Sequence, residues 1–126
     1  MTLSPGTPLV GSSQGKVWGK TQLVFAWNNV EVHLLNTHSG YRCSRHSHEH
    51  KWNRFLVLSG AVKVTIWRES GTADVLELVT GGITDVPPGV EHMFEVVNCG
   101  RMLEFYWVQL DPDDIHRIDE GGKMNG

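Results

Sequence analysis

The chain has 126 residues, 40% of them hydrophobic, a formal net charge of −3 and a pI near 6.1. That length fits one domain whose core needs no disulfides, and the composition excludes a disordered chain. The acidic balance argues against nucleic acid or an anionic membrane as partner, and no apolar run reaches the length of a transmembrane helix.

Residues 1–15, MTLSPGTPLVGSSQG, carry Pro5, Pro8, three glycines and three serines, and read as a flexible arm. They lack the basic start and apolar centre of a secretory signal. Cys43 and Cys99 make no disulfide framework and fit reduced thiols, so a cytoplasmic location is expected. The domain is expected over residues 16–119, with a Gly-rich tail at 120–126.

Within that domain the pattern is short and β-like. Residues 22–27 and 30–36 are apolar, β-branched runs around the turn pair Asn28-Asn29. Ser39-Gly40 breaks the chain, and a histidine-bearing strand follows. Residues 54–58 end at Ser59-Gly60. Residues 61–67 alternate, with Val62, Val64 and Ile66 on one face. A turn at Glu69-Ser70-Gly71 leads to residues 73–79, and Thr80-Gly81-Gly82 to residues 83–86. Pro87-Pro88-Gly89 forms a rigid corner. Residues 91–97 and 102–110 complete about nine strands, a count that points to a β-sandwich or barrel. A short helix is expected over residues 112–119, where Asp111 can cap, Pro112 suits the first turn, and Ile115 and Ile118 share a face.

Chemistry concentrates in residues 40–60, GYRCSRHSHEHKWNRFLVLSG. His46, His48 and His50 alternate, so on an extended strand their imidazoles face one way. Imidazole suits zinc, iron, copper and nickel. His92 follows the Pro-Gly corner in a comparable setting. His33, His38 and His116 read as ordinary half-buried histidines. Trp52, Trp67 and Trp107 read as core or interface aromatics.

The spacing Gly40, five residues, His46-Ser47-His48, four residues, Asn53, six residues, Gly60 resembles the first motif of the cupins. Gly81, five residues, Pro87-Pro88-Gly89, two residues, His92 resembles the second. The resemblance implies a jelly-roll β-barrel holding a divalent transition metal such as zinc, iron, manganese or nickel. It places His46, His48 and His92 among the ligands. Over nearly the whole domain the chain is similar to the cupin domain of type II mannose-6-phosphate isomerases. The shared stretches are Trp18-Gly19, residues 45–50, residues 87–92, and Val108-Gln109 with residues 113–117. In that alignment His48 and His50 stand at the two histidines, Lys51 at a basic position and Asn53 where a Glu is usual. A neutral amide is a poorer ligand than a carboxylate and no general base. Water or Asn53 would complete the site, or His50 would replace the missing carboxylate.

The resemblance implies a small-molecule substrate, a sugar phosphate among the candidates, and a homodimer. The function expected first is a metal-dependent sugar or sugar-phosphate isomerase, with His50 and Glu104 as the candidate bases. A non-haem metal dioxygenase or lyase, and a non-catalytic metal- or sugar-binding module, are the other readings.

Overall fold

A computed structural model describes residues 10–108 together with Asp113 and Lys123. Seven strands occupy that part: β1 (Ser13–Lys16), β2 (Gly19–Trp27), β3 (Val30–Thr37), β4 (Trp52–Trp67), β5 (Ala73–Leu78), β6 (Ile83–Val86) and β7 (His92–Trp107). All pairings between them are antiparallel. No helix occurs among the described residues. The helix expected over residues 112–119 and the tail at 120–126 lie outside them, apart from Asp113 and Lys123. Ser13, Gln14 and Gly15, read from sequence as the end of the arm, pair with β2 as part of β1.

Two expected strand breaks are absent. Residues 54–58 and 61–67 belong to one 16-residue strand, β4, and residues 92–97 and 102–107 of the two later expected strands belong to another, β7, residues 109 and 110 lying outside the described residues. The Ser59-Gly60 signal marks a bulged bend rather than an end, since the β4–β7 register shifts between Val57 and Val62 while pairing continues on both sides. Gly60 takes φ of 80° there. A Cβ on it would stand 2.6 Å from the carbonyl oxygens of Asn98 and Cys99, and one on Gly100 would stand 2.1 Å from that of Ser59. Only glycine lets the two bent strands cross so closely.

The bend lets β4 and β7 serve two layers. One layer runs β1-β2-β3, then residues 101–107 of β7, residues 52–59 of β4, and β6. The other holds β5, residues 61–67 of β4 and residues 92–98 of β7. The histidine segment flanks the second layer through two isolated bridges, Arg42 to Glu95 and His46 to His92. The ladder path is open, ending at β1 and β5, so the layers form a jelly roll and no closed barrel. Between them lie Leu35, Phe55, Val57, Val64, Phe94 and Met102, each at most 3% exposed. Phe94 packs edge-on against Trp18 with centroids 5.0 Å apart. Each such side chain stabilises the fold by ~1.5–3 kcal/mol. Both cysteines are free, Cys43 buried and Cys99 exposed.

Candidate metal centre

The residues before β4 are not the regular strand that strict alternation supposes. The backbone pairs with β7 at His46, whose N–H donates to the His92 carbonyl and whose carbonyl accepts from the His92 N–H. Two residues on, the His48 carbonyl accepts from Gly89 N–H at the Pro-Gly corner. These anchors turn His46 and His48 inward, and the chain then bends at Glu49-His50. His50 therefore leaves the face it was expected to share. Its side chain is 83% exposed and lies 3.6 Å from the Glu49 carboxylate. The structure does not bring it to the other histidines.

His46, His48 and His92 do converge. One nitrogen from each lies within 4.8 Å of the other two, and the ring centroids are 4.6–5.4 Å apart. Hydrogen bonding fixes the tautomers. His46 Nδ1 lies 2.7 Å from the Ser44 carbonyl and must donate to it, leaving the Nε2 lone pair free. His92 Nδ1 likewise donates to the Val90 carbonyl at 3.0 Å. His48 Nε2 is buried with no hydrogen-bond partner. Such an atom is costly unless something occupies the site.

Asn53 completes the arrangement. It is fully buried on β4. Its Nδ2 donates to the Phe105 carbonyl at 3.3 Å and to Glu104 Oε2 at 3.4 Å, which fixes the amide so that Oδ1 faces His92 Nε2 at 3.1 Å. With Nδ1 of His92 already donating, a lone pair on Nε2 meets an amide oxygen, two acceptors face to face. A cation between them removes the conflict. At 3.1 Å apart the two atoms are close enough for both to reach one ion. The residues present fit a divalent metal: three free imidazole nitrogens and one amide oxygen.

Electrostatics favour the neutral form of His48 and His92, the form a ligand must take. Burial pushes His48 down to about 4, helped by the charges of Lys51, His46 and His92. Burial also lowers His92, against the pull of the Val90 carbonyl. Glu104, on β7 and paired in register with His33 and Phe55, faces inward beside Asn53. Burial raises its carboxyl to about 7, against the hydrogen bonds from Tyr106 and Asn53 and the charges of Lys51 and Lys16. Tyr106 is pushed up by burial and by Glu104, so its phenol stays protonated. Lys51 sits 3.9 Å over the Tyr106 ring.

A cavity of about 420 Å³ opens beside the cluster, lined by Lys16, Thr21, His33, His46, Glu104 and Tyr106 among others. In sequence Tyr106, Lys16 and Thr21 do not stand out as site residues, and His33 reads as an ordinary histidine. Inward register with Glu104 is the signal that finds His33 and Tyr106 once strand pairing is known. Lys16 and Thr21 had none. Cys43 also lines this cavity, but burial raises its thiol to about 11, so it is no nucleophile at neutral pH.

No protein-family model matches the chain. A mannose-1-phosphate guanylyltransferase-like protein of Vibrio cholerae serotype O1 is 27% identical over 108 residues, which is 82% of this chain and 22% of that protein. The chain thus spans about a fifth of the length of the curated relative it matches. Among solved structures, an oxalate decarboxylase of Bacillus subtilis superposes with a TM-score of 0.70 at 16% identity, over 78% of this chain and 27% of that one. KdgF from Halomonas sp. gives 0.67 at 15% identity, over 79% and 89%. The cupin domain of Cnp3 from Schizosaccharomyces pombe gives 0.63 at 16% identity, over 71% and 64%. At these identities the likeness shows the fold, and the fold is that of a cupin.

Proposed function

We propose that the protein is a metal-dependent sugar or sugar-phosphate isomerase of the mannose-6-phosphate isomerase kind. The observation that carries the reading is the placement of Glu104. It lines a cavity beside three converging imidazoles and lies one amide, Asn53, away from the point where their nitrogens meet. His46, His48 and His92 would hold the ion through Nε2, and Asn53 through Oδ1. This donor set suits zinc, iron, manganese or nickel. A bound ion would supply Lewis acidity toward a substrate carbonyl oxygen. Glu104 is the base that takes a proton from the carbon beside that carbonyl and returns it to the former carbonyl carbon, while the hydroxyl proton on the first carbon passes to the former carbonyl oxygen. Asn53 and Tyr106 orient its carboxyl. Lys16 at the cavity wall suits a phosphate. His50, solvated and apart, has no part in the reaction. The name of the Vibrio cholerae relative, which carries a mannose phosphate, supports the substrate class.

Proton NMR in D₂O tests the reaction. With saturating metal, the C2 proton signal of mannose 6-phosphate should fade, and Glu104→Gln should slow that loss at least ~100-fold. No exchange with mannose 6-phosphate or related aldose phosphates refutes the isomerase reading. Oxygen uptake by the metal-loaded protein would favour a dioxygenase.

A further inference from the structure

An isomerisation of this kind moves two protons, and Glu104 accounts for one of them. The other leaves the hydroxyl of the carbon that Glu104 deprotonates and arrives at the former carbonyl oxygen. Among the described residues lining the cavity, few groups can carry it. Lys16 ends in an ammonium with no lone pair, and the Thr21 and Ser44 hydroxyls are too weakly basic to hold a proton. Burial pushes up both the Cys43 thiol and the Tyr106 phenol, which stay protonated. The free His46 nitrogen belongs to the three-histidine cluster. That leaves His33.

Strand register puts His33 beside the base. On β3 it pairs with Glu104 of β7, so the two side chains are neighbours on the inward face. Its side chain is 16% exposed. Its ring stands edge-on to Tyr106 with centroids 5.6 Å apart, and Tyr106 in turn packs on His48 at 5.1 Å. The base, this imidazole and the histidine cluster therefore surround one space. The two ring nitrogens differ. Nε2 lies 3.7 Å from the Glu31 carboxylate, which draws the ring proton to that side. Nδ1 lies 3.5 Å from Thr21 Oγ1. Thr21 lines the cavity and Glu31 does not, so Nδ1 is the nitrogen turned toward a substrate. Burial makes the ring less basic, against the pull of Glu31, so it stands neutral and open to a proton at pH 7. Once protonated, it faces a carboxylate that stabilises the charge.

We propose, on the isomerase reading of the site, that His33 carries the second proton, from the hydroxyl beside the carbonyl to the carbonyl oxygen itself. For mannose 6-phosphate the steps balance with no oxidant or reductant. Glu104 takes the C2 proton; the C–H pair forms the C1–C2 double bond and the carbonyl pair moves to O1. His33 Nδ1 takes the O2 proton; the O–H pair forms the C2 carbonyl, and the C1–C2 pair receives at C1 the proton held by Glu104. The imidazolium gives its proton to O1. Without His33 the first half still runs and reverses, returning a deuteron to C2 in D₂O, but the ketose does not form.

Proton NMR in D₂O on the zinc-loaded protein with mannose 6-phosphate reads both halves in one sample, as loss of the C2 proton signal and as growth of the ketose signals. The variants His33→Gln and His33→Asn place an amide near one ring nitrogen or the other, and an amide takes no proton. In both, ketose growth should fall ~100-fold while C2 exchange stays within ~3-fold of the parent. Both rates come from one sample, so any loss of folded protein cancels from their ratio. Zinc content by elemental analysis should match the parent. A parental ratio in either variant overturns the relay and leaves the isomerase reading standing. So does a parent that exchanges C2 without forming ketose. Loss of zinc from either variant would place His33 among the ligands and likewise overturn the relay. A parent that neither exchanges C2 nor forms ketose overturns the isomerase reading, and the relay with it.

Discussion

Asn53→Asp gives opposite results with and without metal. The new side chain keeps its shape, and its second carboxylate oxygen replaces the Nδ2 that donates to Phe105 O and Glu104 Oε2 at 3.3 and 3.4 Å. In the metal-free protein both contacts become acceptor against acceptor, at a fully buried position. One carboxyl can take up a proton and restore a single bond, so the net loss is one hydrogen bond plus one stranded buried acceptor, ~2–4 kcal/mol. For a domain of this size that lowers Tm by ~8–16 °C in the presence of a chelator. With saturating zinc the order reverses in part. A carboxylate binds a transition metal more strongly than an amide, and each tenfold gain in affinity returns ~1.4 kcal/mol. Calorimetric melting of parent and variant, with chelator and with metal, measures both arms. A variant that melts with the parent in chelator would show that the amide does not donate as the geometry says. One that gains no zinc affinity would remove Oδ1 from the ligand set.

The other predictions separate site from scaffold. His48→Ala should abolish most metal binding by elemental analysis, whereas His50→Ala should bind like the parent; the reverse pattern would put the bend at Glu49-His50 on the wrong side. In chelator, the stability of a Glu104→Gln variant should be flat above pH 6.5 and fall as the pH drops toward 4; in the parent the Glu104 carboxyl, raised to about 7, opposes that fall, because the fold holds a proton there that the unfolded chain has lost. Across that range the unfolded chain takes the proton that His48, held near 4, refuses. The slope should be shallower than the ~1.4 kcal/mol per pH unit of a fully buried group, because solvent reaches part of the ring. Denaturation of the variant followed by circular dichroism reads it, and a variant stability that rises on acidification in this range contradicts the burial argument. Gly100→Ala should cost ~3 kcal/mol or more in urea denaturation, since its Cβ would meet the Ser59 carbonyl at 2.1 Å and that atom is backbone that cannot swing away.

Much of the layer architecture was legible because it rests on local signals. The alternation of Val62, Val64 and Ile66, the turn pair at residues 28–29 and the Pro87-Pro88-Gly89 corner all act within a few residues. The two long strands were not legible, because a glycine that ends a strand and a glycine that bends one look the same in sequence. What separates them is whether pairing resumes beyond the glycine. For Gly60 and Gly100 that depends on each other's carbonyls across the fold.

The site divides the same way. The convergence of His46, His48 and His92 was legible from motif spacing, although only the corner before His92 is a short-range consequence of sequence and the bridge to His46 joins residues far apart in the chain. His50 was misplaced because alternation holds only while a strand stays paired, and this segment is tied to β7 at no more than two bridges. Once the last anchor, the His48 carbonyl on Gly89, is made, nothing holds the following residues in register. Position 53 shows the converse. In sequence its neutral amide reads as a damaged ligand position. In the fold it has two jobs that a carboxylate could not combine, since Oδ1 faces the His92 nitrogen while Nδ2 donates to Glu104 and the Phe105 backbone. An acceptor-only side chain would put a second negative charge against Glu104. The amide therefore lets the Glu104 carboxyl lie this close to the point where the three imidazoles converge.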